Sequence, residues 1–257
     1  MTIQISILKI EGYGPWTLTL GSDREAQLQI LQSQIYGDLQ KLFSKKNCLV
    51  FFNRFDEYFV VSNTLSIEDH VKIITEIYKM YPDLNLSISI GIGNTPIDAN
   101  KGAYKARKEK KILDSPFLIY CNSENYLNSE KTNSDHRIKI LHIDINNSSR
   151  IESRLSPYEV TSQVMKIYVM LIDKFLKKKS LTFFLGGDNF MVLADDLKDS
   201  EICDLLDVIY DESAVNLNCG IGSGTTSREA AKKATKSLDT IRKLRNEGKI
   251  LNIYESL

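Results

Sequence analysis

The chain has 257 residues, of which 42% are hydrophobic and 26% charged, so it suits one large globular domain or two small ones. Its 33 basic residues balance 33 acidic residues, which gives no bulk basic field for nucleic acid and no acidic excess typical of disorder. No apolar run is long enough to cross a bilayer, and residues 1–10 are too short and polar for a secretory signal, so we expect a cytoplasmic protein without membrane or nucleic-acid partners.

The first half of the chain predicts a βαββαβ unit with an added helix and strand, which is the order of a ferredoxin-like fold. Its long helix is marked by apolar residues at helical spacing from Leu28 to Leu42, and its last helix opens with a capping-box pattern from Thr95 to Asp98. The other predicted elements are a strand at 7–11, an acidic hairpin at 51–57, a helix at about 67–80, and strands at about 84–92 and 117–120.

The second half repeats this order after a segment rich in Asn, Ser and charge, which predicts a first unit at 1–122, a linker at 123–137 and a second unit at 138–257. We therefore predict an α+β protein of two tandem ferredoxin-like (palm-type) βαββαβ units that arose by internal duplication. The matched segments are Ile7–Glu11 with Ile140–Asp144, Phe51–Glu57 with Phe183–Asn189, and Gly91–Gly93 with Gly220–Gly222.

The second hairpin carries Gly186, Gly187, Asp188 and Asn189 at its turn. Glycine permits positive φ and leaves no Cβ to block a phosphate. A neighbouring aspartate can hold a divalent cation that bridges phosphate oxygens. The turn therefore indicates a nucleotide-phosphate site.

Asp144 and Asp188 are predicted to lie close together, because the crossover of a βαββ unit brings the hairpin's second strand beside the first strand. Taken singly, each is equally well a strand-end or turn residue. Together they repel unless a divalent cation lies between them, so their joint placement indicates a site for a pair of Mg²⁺ ions.

The first unit has Glu11 and Asp56 at the matched positions, but Arg54 stands where the second unit has glycine and can neutralise Asp56. This half is therefore interpreted as the weaker metal site, either scaffold or a base-recognition surface. Trp16 fits a turn anchor and an aromatic wall against a purine equally well. Lys236 can reach a triphosphate or belong to a solvated helix face.

Four motifs together resemble archaeal GTP cyclohydrolase III, also called GTP cyclohydrolase IIa, a family with a palm or ferredoxin-like fold related to nucleotidyl cyclases. They are Glu11–Thr17, Arg54–Asp56, His142–Asn146 and Gly186–Met191, and the likeness runs across essentially the whole chain. The resemblance implies hydrolysis of GTP to 2-amino-5-formylamino-6-(5-phosphoribosylamino)pyrimidin-4(3H)-one and pyrophosphate, with the formyl group kept. The absence of a cysteine cluster disfavours the zinc-dependent GTP cyclohydrolases.

The resemblance also implies two Mg²⁺ ions, activation by a monovalent cation such as K⁺, and a homo-oligomer, dimer or tetramer. It assigns the catalytic and metal-binding roles to Asp144 and Asp188. Glu11 stands where the family favours Asp, which weakens a metal role for the first unit. The remaining candidates are Ile145 for metal, Gly186, Gly187, Asn189, Asn146 and Lys236 for substrate, and Glu11, Asp56, Arg54 and Trp16 as further site residues.

Two other functions fit the same residues. A palm-type nucleotidyl or diguanylate cyclase would use the same metal pair for phosphoryl transfer, although Asn189 stands where diguanylate cyclases place an acidic residue. A non-catalytic GTP-binding regulatory module would bind GTP without releasing pyrophosphate.

Overall fold

Two compact units make up the chain, Met1–Asn94 with Asp98–His136 and Thr95–Ile97 with Arg137–Leu257. The computed structural model describes residues 2–54, 56–63, 65–113, 117–121, 137–148, 153–249 and 251–255. The predicted linker at 123–137 lies outside these ranges except for its last residue. No helix in the described ranges has both the length and the apolar content that a bilayer-spanning segment needs.

The elements of the first unit are β1 (Ile3–Ile10), α1 (Tyr13–Thr17), α2 (Arg24–Ser44), β2 (Leu49–Arg54), β3 (Glu57–Val61), α3 (Ile67–Met80), β4 (Leu86–Gly93), α4 (Pro96–Lys108) and β5 (Leu118–Cys121). The strands form one five-stranded sheet of order β2-β3-β1-β4-β5. They pair antiparallel except for the parallel pair of β4 and β5.

The elements of the second unit are β6 (Ile138–Ile145), α5 (Pro157–Lys177), β7 (Leu181–Gly186), β8 (Asn189–Ala194), α6 (Asp199–Ser213), β9 (Leu217–Gly224), α7 (Ser227–Asn246) and β10 (Ile253–Glu255). Its sheet repeats the topology of the first, with the order β7-β8-β6-β9-β10. The predicted α+β class and the pair of ferredoxin-like units are thereby confirmed.

The apolar spacing that predicted the long helices also forms the cores. In the second unit, the buried stripe of α5 that includes Val164 and Leu171 packs with Leu141, Ile143 and Ile145 of β6. Each such side chain contributes about 1.5–3 kcal/mol when it leaves water. Alternation then turns the residues between them, among them Asp144, toward the opposite face of the sheet.

The duplication extends to side-chain packing. Each unit has three aromatic rings between its long helix and its hairpin, with centroids 4.3 to 6.3 Å apart in the first and 5.7 to 6.0 Å apart in the second. The rings belong to Tyr36, Phe52 and Tyr58 in the first unit, and to Tyr168, Phe184 and Phe190 in the second. The same number of residues along the chain separates each first-unit residue from its counterpart in the second unit.

Strand pairing corrects one of the repeat matches. Gly91 lies opposite Ile5 in β1, and Gly222 lies opposite Ile140 in β6. Both glycines also contact matching turns of α4 and α7. Gly91 therefore corresponds to Gly222, and the match to Gly220 was wrong by two residues.

The close approach of α7 to β9 requires glycine at position 222. A Cβ there would lie 2.2 Å from the backbone oxygen of Ala230 and 2.3 Å from the backbone nitrogen of Ala234. We expect Gly222→Ala to lower the free energy of unfolding by about 1–3 kcal/mol, measured by urea denaturation. Gly37→Ala is the control, because its Cβ would meet nothing within 4 Å in α2, and we expect a gain of roughly 0.5–1 kcal/mol. Equal stability of the Gly222 variant and the wild type would contradict this packing.

Candidate active site

The turn between β7 and β8 exposes bare backbone. Gly186 and Gly187 have φ of 104° and 60°, in the left-handed region that favours glycine. A Cβ on Gly186 would meet no atom within 4 Å, and one on Gly187 would meet only Nδ2 of Asn189 at 3.9 Å. A β-bulge between Phe184 and Gly186 changes the direction of the strand as it enters the turn. The space above the turn is therefore open to a phosphate.

Asp144 lies in β6 opposite Asn189 of β8 and Asn218 of β9. Because Asp188 immediately precedes Asn189, the register places one predicted catalytic aspartate on β6 and the other in the turn that leads into the neighbouring strand β8. The Asp144 carboxylate is buried, and each of its two oxygens accepts a hydrogen bond. Its Oδ1 accepts a hydrogen bond from Asn218 Nδ2 at 2.7 Å, and its Oδ2 accepts one from Arg242 Nη2 at 2.6 Å.

Two arginines of α7 at this corner were missed from the sequence. Arg242 forms the ion pair with Asp144, and Arg245 Nη2 donates to Oδ1 of Asn218 at 2.6 Å. A signal for Arg242 was present, because it continues the buried helical stripe of Ala234 and Leu238 at intervals of four residues.

Lys236, the substrate-binding candidate on this helix, is exposed. The hydrogen bonds from α7 to Asp144 and Asn218 come from Arg242 and Arg245 instead. Lys236 therefore faces solvent in the structure, and a role in triphosphate binding stays a prediction.

His142 extends the polar network on the face of β6 that carries Asp144. Its Nε2 lies 3.2 Å from Oδ1 of Asn189, and its Nδ1 lies 3.0 Å from the Thr235 hydroxyl. Asn189 Nδ2 in turn donates to Oδ1 of Asp188 at 2.8 Å. Burial lowers the pKa of His142, so the ring is neutral at neutral pH and orients Asn189 without adding charge.

Two cavities flank the C-terminal end of β6. The tip cavity, of about 330 Å³, is bounded by the hairpin turn and α5. The amide cavity, of about 410 Å³, is bounded by the ends of α6 and β9. The tip cavity is lined by Ile145, Ser148, Val160, Thr161, Gln163, Val164, Met165, Phe184, Gly187 and Asp188. The amide cavity is lined by Asn146, Asn147, Arg154, Gln163 and Asn216, among others.

The first unit carries a different charge at the corresponding corner. Lys9 lies opposite Glu57 in the ladder, as Asp144 lies opposite Asn189. The match of Glu11 to Asp144 was therefore wrong by two residues. An error of two residues in aligning the repeats keeps every side chain on the same face of the sheet, so the alternation of apolar and polar residues cannot reveal it.

The other candidate site residues of the first unit form ion pairs, hydrogen bonds or packing contacts within that unit. Arg54 Nε lies 3.5 Å from Oδ1 of Asp56, so the expected neutralisation is present in the structure. Oε1 of Glu11 accepts a hydrogen bond from the Ser87 hydroxyl at 2.6 Å. Trp16 is half-buried and packs against the core of its own unit, as a turn anchor does.

The second-unit corner fits Mg²⁺ in one of its usual modes. Within the described residues, no group of three or more His, Cys, Asp and Glu side chains is placed to hold a metal ion. Mg²⁺ commonly takes one or two carboxylates together with substrate phosphates and water, and Asp144 and Asp188 are the predicted carboxylates of such a donor set. Arg242 has to leave Asp144 before a cation can take its place. Ile145 has an apolar side chain, so its predicted contribution is a backbone carbonyl.

Comparison with known proteins identifies relatives along the chain. The family model for GTP cyclohydrolase III matches residues 3–255. The GTP cyclohydrolase III of Methanobrevibacter smithii is 36% identical over 250 residues, covering 93% of this chain and 94% of the relative. That of Methanothermobacter thermautotrophicus is 34% identical with the same coverage.

Among solved structures, the active GGEEF domain of a diguanylate cyclase from Vibrio cholerae aligns with a TM-score of 0.40 at 12% identity, covering 51% of this chain and 90% of that domain. The sequence relatives exceed 30% identity over most of the chain, and the family model matches nearly all of it. The chain belongs to the GTP cyclohydrolase III family.

Proposed function

We propose that this chain hydrolyses GTP, opening the imidazole ring of guanine to give 2-amino-5-formylamino-6-(5-phosphoribosylamino)pyrimidin-4(3H)-one and pyrophosphate. Family membership supports the class of reaction. The observation that supports its placement is the register of β6 and β8, which sets Asp144 beside the Gly186-Gly187-Asp188 turn. The adjoining tip cavity offers room for the nucleoside.

The hairpin turn binds the phosphates in this proposal. Successive backbone N–H groups around Gly186 and Gly187 form an anion-binding concavity, and no Cβ stands in the way. Val160, Val164 and Phe184 supply apolar walls that exclude bulk water from the nucleoside.

Asp144 and Asp188 are the residues that would hold Mg²⁺ at this corner. When bound, the metal supplies a water of lowered pKa for hydrolysis and neutralises phosphate charge. His142 acts as a positioning residue, because its hydrogen bond fixes Asn189, which in turn holds Asp188. Activation by K⁺ and a homo-oligomer are inferred from the family resemblance, two Mg²⁺ ions from the pair of carboxylates, and a cytoplasmic location from the sequence composition.

The reaction is tested by incubating the protein with GTP and Mg²⁺. Ring opening removes the purine ultraviolet spectrum, releases pyrophosphate and leaves a product that keeps the formyl carbon. An unchanged purine spectrum with pyrophosphate release would indicate a nucleotidyl cyclase. Saturable GTP binding with neither signal would indicate a regulatory module.

Substitution of Asp188 tests which unit holds the active site. We expect Asp188→Asn to lower turnover by at least about a hundredfold, because it removes a carboxylate that holds the metal at the phosphates. The matched control is Asp56→Asn, in the equivalent turn of the first unit, for which we expect a smaller loss. Initial rates of ring opening at saturating Mg²⁺ measure both. A larger loss in the Asp56 variant would move the site to the first unit.

Substitution of Asp144 is expected to affect stability as well as turnover. In Asp144→Asn, an amide group replaces the carboxylate, so Arg242 loses its counter-charge and a donor faces the guanidinium. We expect the free energy of unfolding to fall by about 1–3 kcal/mol, by urea denaturation, in addition to the loss of turnover. Asp188→Asn, at a partly exposed turn, is the control and should keep nearly wild-type stability. Equal stability of the two variants would show that the pair with Arg242 contributes nothing.

A further inference from the structure

Helix α5 carries a second apolar stripe, on a face that the core of its unit does not use. We call this row the outer stripe; its members recur at helical spacing and are Tyr158, Met165, Val169, Ile172 and Leu176. Tyr158 is 85% exposed, Val169 63% and Leu176 50%, and the buried stripe of α5 contains none of the five. Single exposed apolar residues are ordinary, but a continuous row of them indicates an interaction surface.

The duplicated first unit shows that the fold does not require the outer stripe. The interval that relates the aromatic rings of the two units aligns α2 with α5. A sixth position on this face is reversed, with exposed Ile30 in α2 and Ser162 in α5. The two helices thus support equivalent cores and differ on their outer faces. At the positions aligned with the outer stripe, α2 has Ala26, Ser33, Gly37, Gln40 and Ser44.

Charged residues of alternating sign border the outer stripe along one side. Glu159, Lys166 and Asp173 are exposed, and each directly follows a residue of the stripe. A helix that lies on a lipid surface has a polar face rich in lysine and arginine, whereas this border alternates in sign. The border therefore indicates a protein surface with a matching charge pattern.

The outer stripe can pack against a copy of itself. When two α5 helices lie antiparallel with Val169 beside the partner's Ile172, the same register sets Met165 beside the partner's Leu176. A twofold axis repeats both contacts, so four apolar layers form between the helices.

The charged border selects this register among the alternatives. In the antiparallel register just described, Lys166 lies next to the partner's Asp173, and symmetry provides the pair twice. A shift by one heptad would set Lys166 against the partner's Lys166, which repel each other. A parallel pair would set the border against the positions of Thr161, Tyr168 and Phe175, which carry no charge.

We propose that the outer stripe is a contact between two copies of this chain, with α5 antiparallel to the same helix of the partner and Lys166 paired with the partner's Asp173. Within its own helix, Asp173 Oδ2 lies 2.7 Å from Nζ of Lys177, an exposed pair that leaves the other carboxylate oxygen for the partner. Met165 also lines the tip cavity, so the contact borders the proposed active site. Neither the outer stripe nor its charged border depends on the proposed function.

Sedimentation equilibrium of the full chain tests the contact. We expect the wild type to associate in a multiple of two, and Val169→Arg to raise the dissociation constant across α5 by about a hundredfold or more, because two charges then enter an apolar contact. Gly37→Arg is the matched control at the aligned position of α2, where an added Cβ meets no atom within 4 Å, and it should associate as the wild type does. Circular dichroism checks that both variants are folded. A monomeric wild type, or unchanged association of folded Val169→Arg, would overturn the contact.

A charge exchange tests the pairing of Lys166 with the partner's Asp173. Lys166→Glu and Asp173→Lys each bring like charges together twice in the pair, so we expect each to raise the dissociation constant by about tenfold. The double variant restores opposite charges in reversed order and should recover most of that loss. If the single variants associate as the wild type does, or the double variant recovers nothing, the antiparallel register is wrong.

Discussion

The pairing register of β6 with β8 is the constraint on which the proposed site depends. It places Asp144 opposite Asn189 and hence next to the glycine turn. A slip of one residue would turn Asp144 into the core and Ile143 out of it. Burial of Leu141, Ile143 and Ile145, each worth about 1.5–3 kcal/mol, opposes that slip far more strongly than any single polar contact at the corner. Hydrophobic burial on one face of the strand therefore positions the carboxylate on the other.

The buried carboxylate in turn ties α7 to the corner. Burial of an unpaired charge costs several kcal/mol, and Arg242 and Asn218 offset that cost at Asp144. The guanidinium is about half exposed, whereas the Asp144 side chain is only 6% exposed. The pair therefore holds the buried carboxylate in place from the solvent side of the corner.

Much of the fold and the hairpin of the site could be predicted, because both rest on local patterns. Helical periodicity marked α2 and α5, and Gly186-Gly187-Asp188 marked the turn. The partners of Asp144 could not be found this way, since Arg242 is 98 residues away and only the packing of α7 on the sheet brings it near.

The two units share topology and aromatic packing but differ in the charge at the proposed metal corner. Lys9 occupies the ladder position of Asp144, and Arg54 pairs with Asp56, the counterpart of Asp188. An ammonium group within a few ångströms of a divalent cation repels it, and Asp56 already has a counter-charge. The first unit therefore has a lysine and a paired carboxylate where the second has two carboxylates. The duplicated fold accordingly provides similar scaffolds, and the exchange of Asp144 for Lys9 confines the proposed metal chemistry to the second.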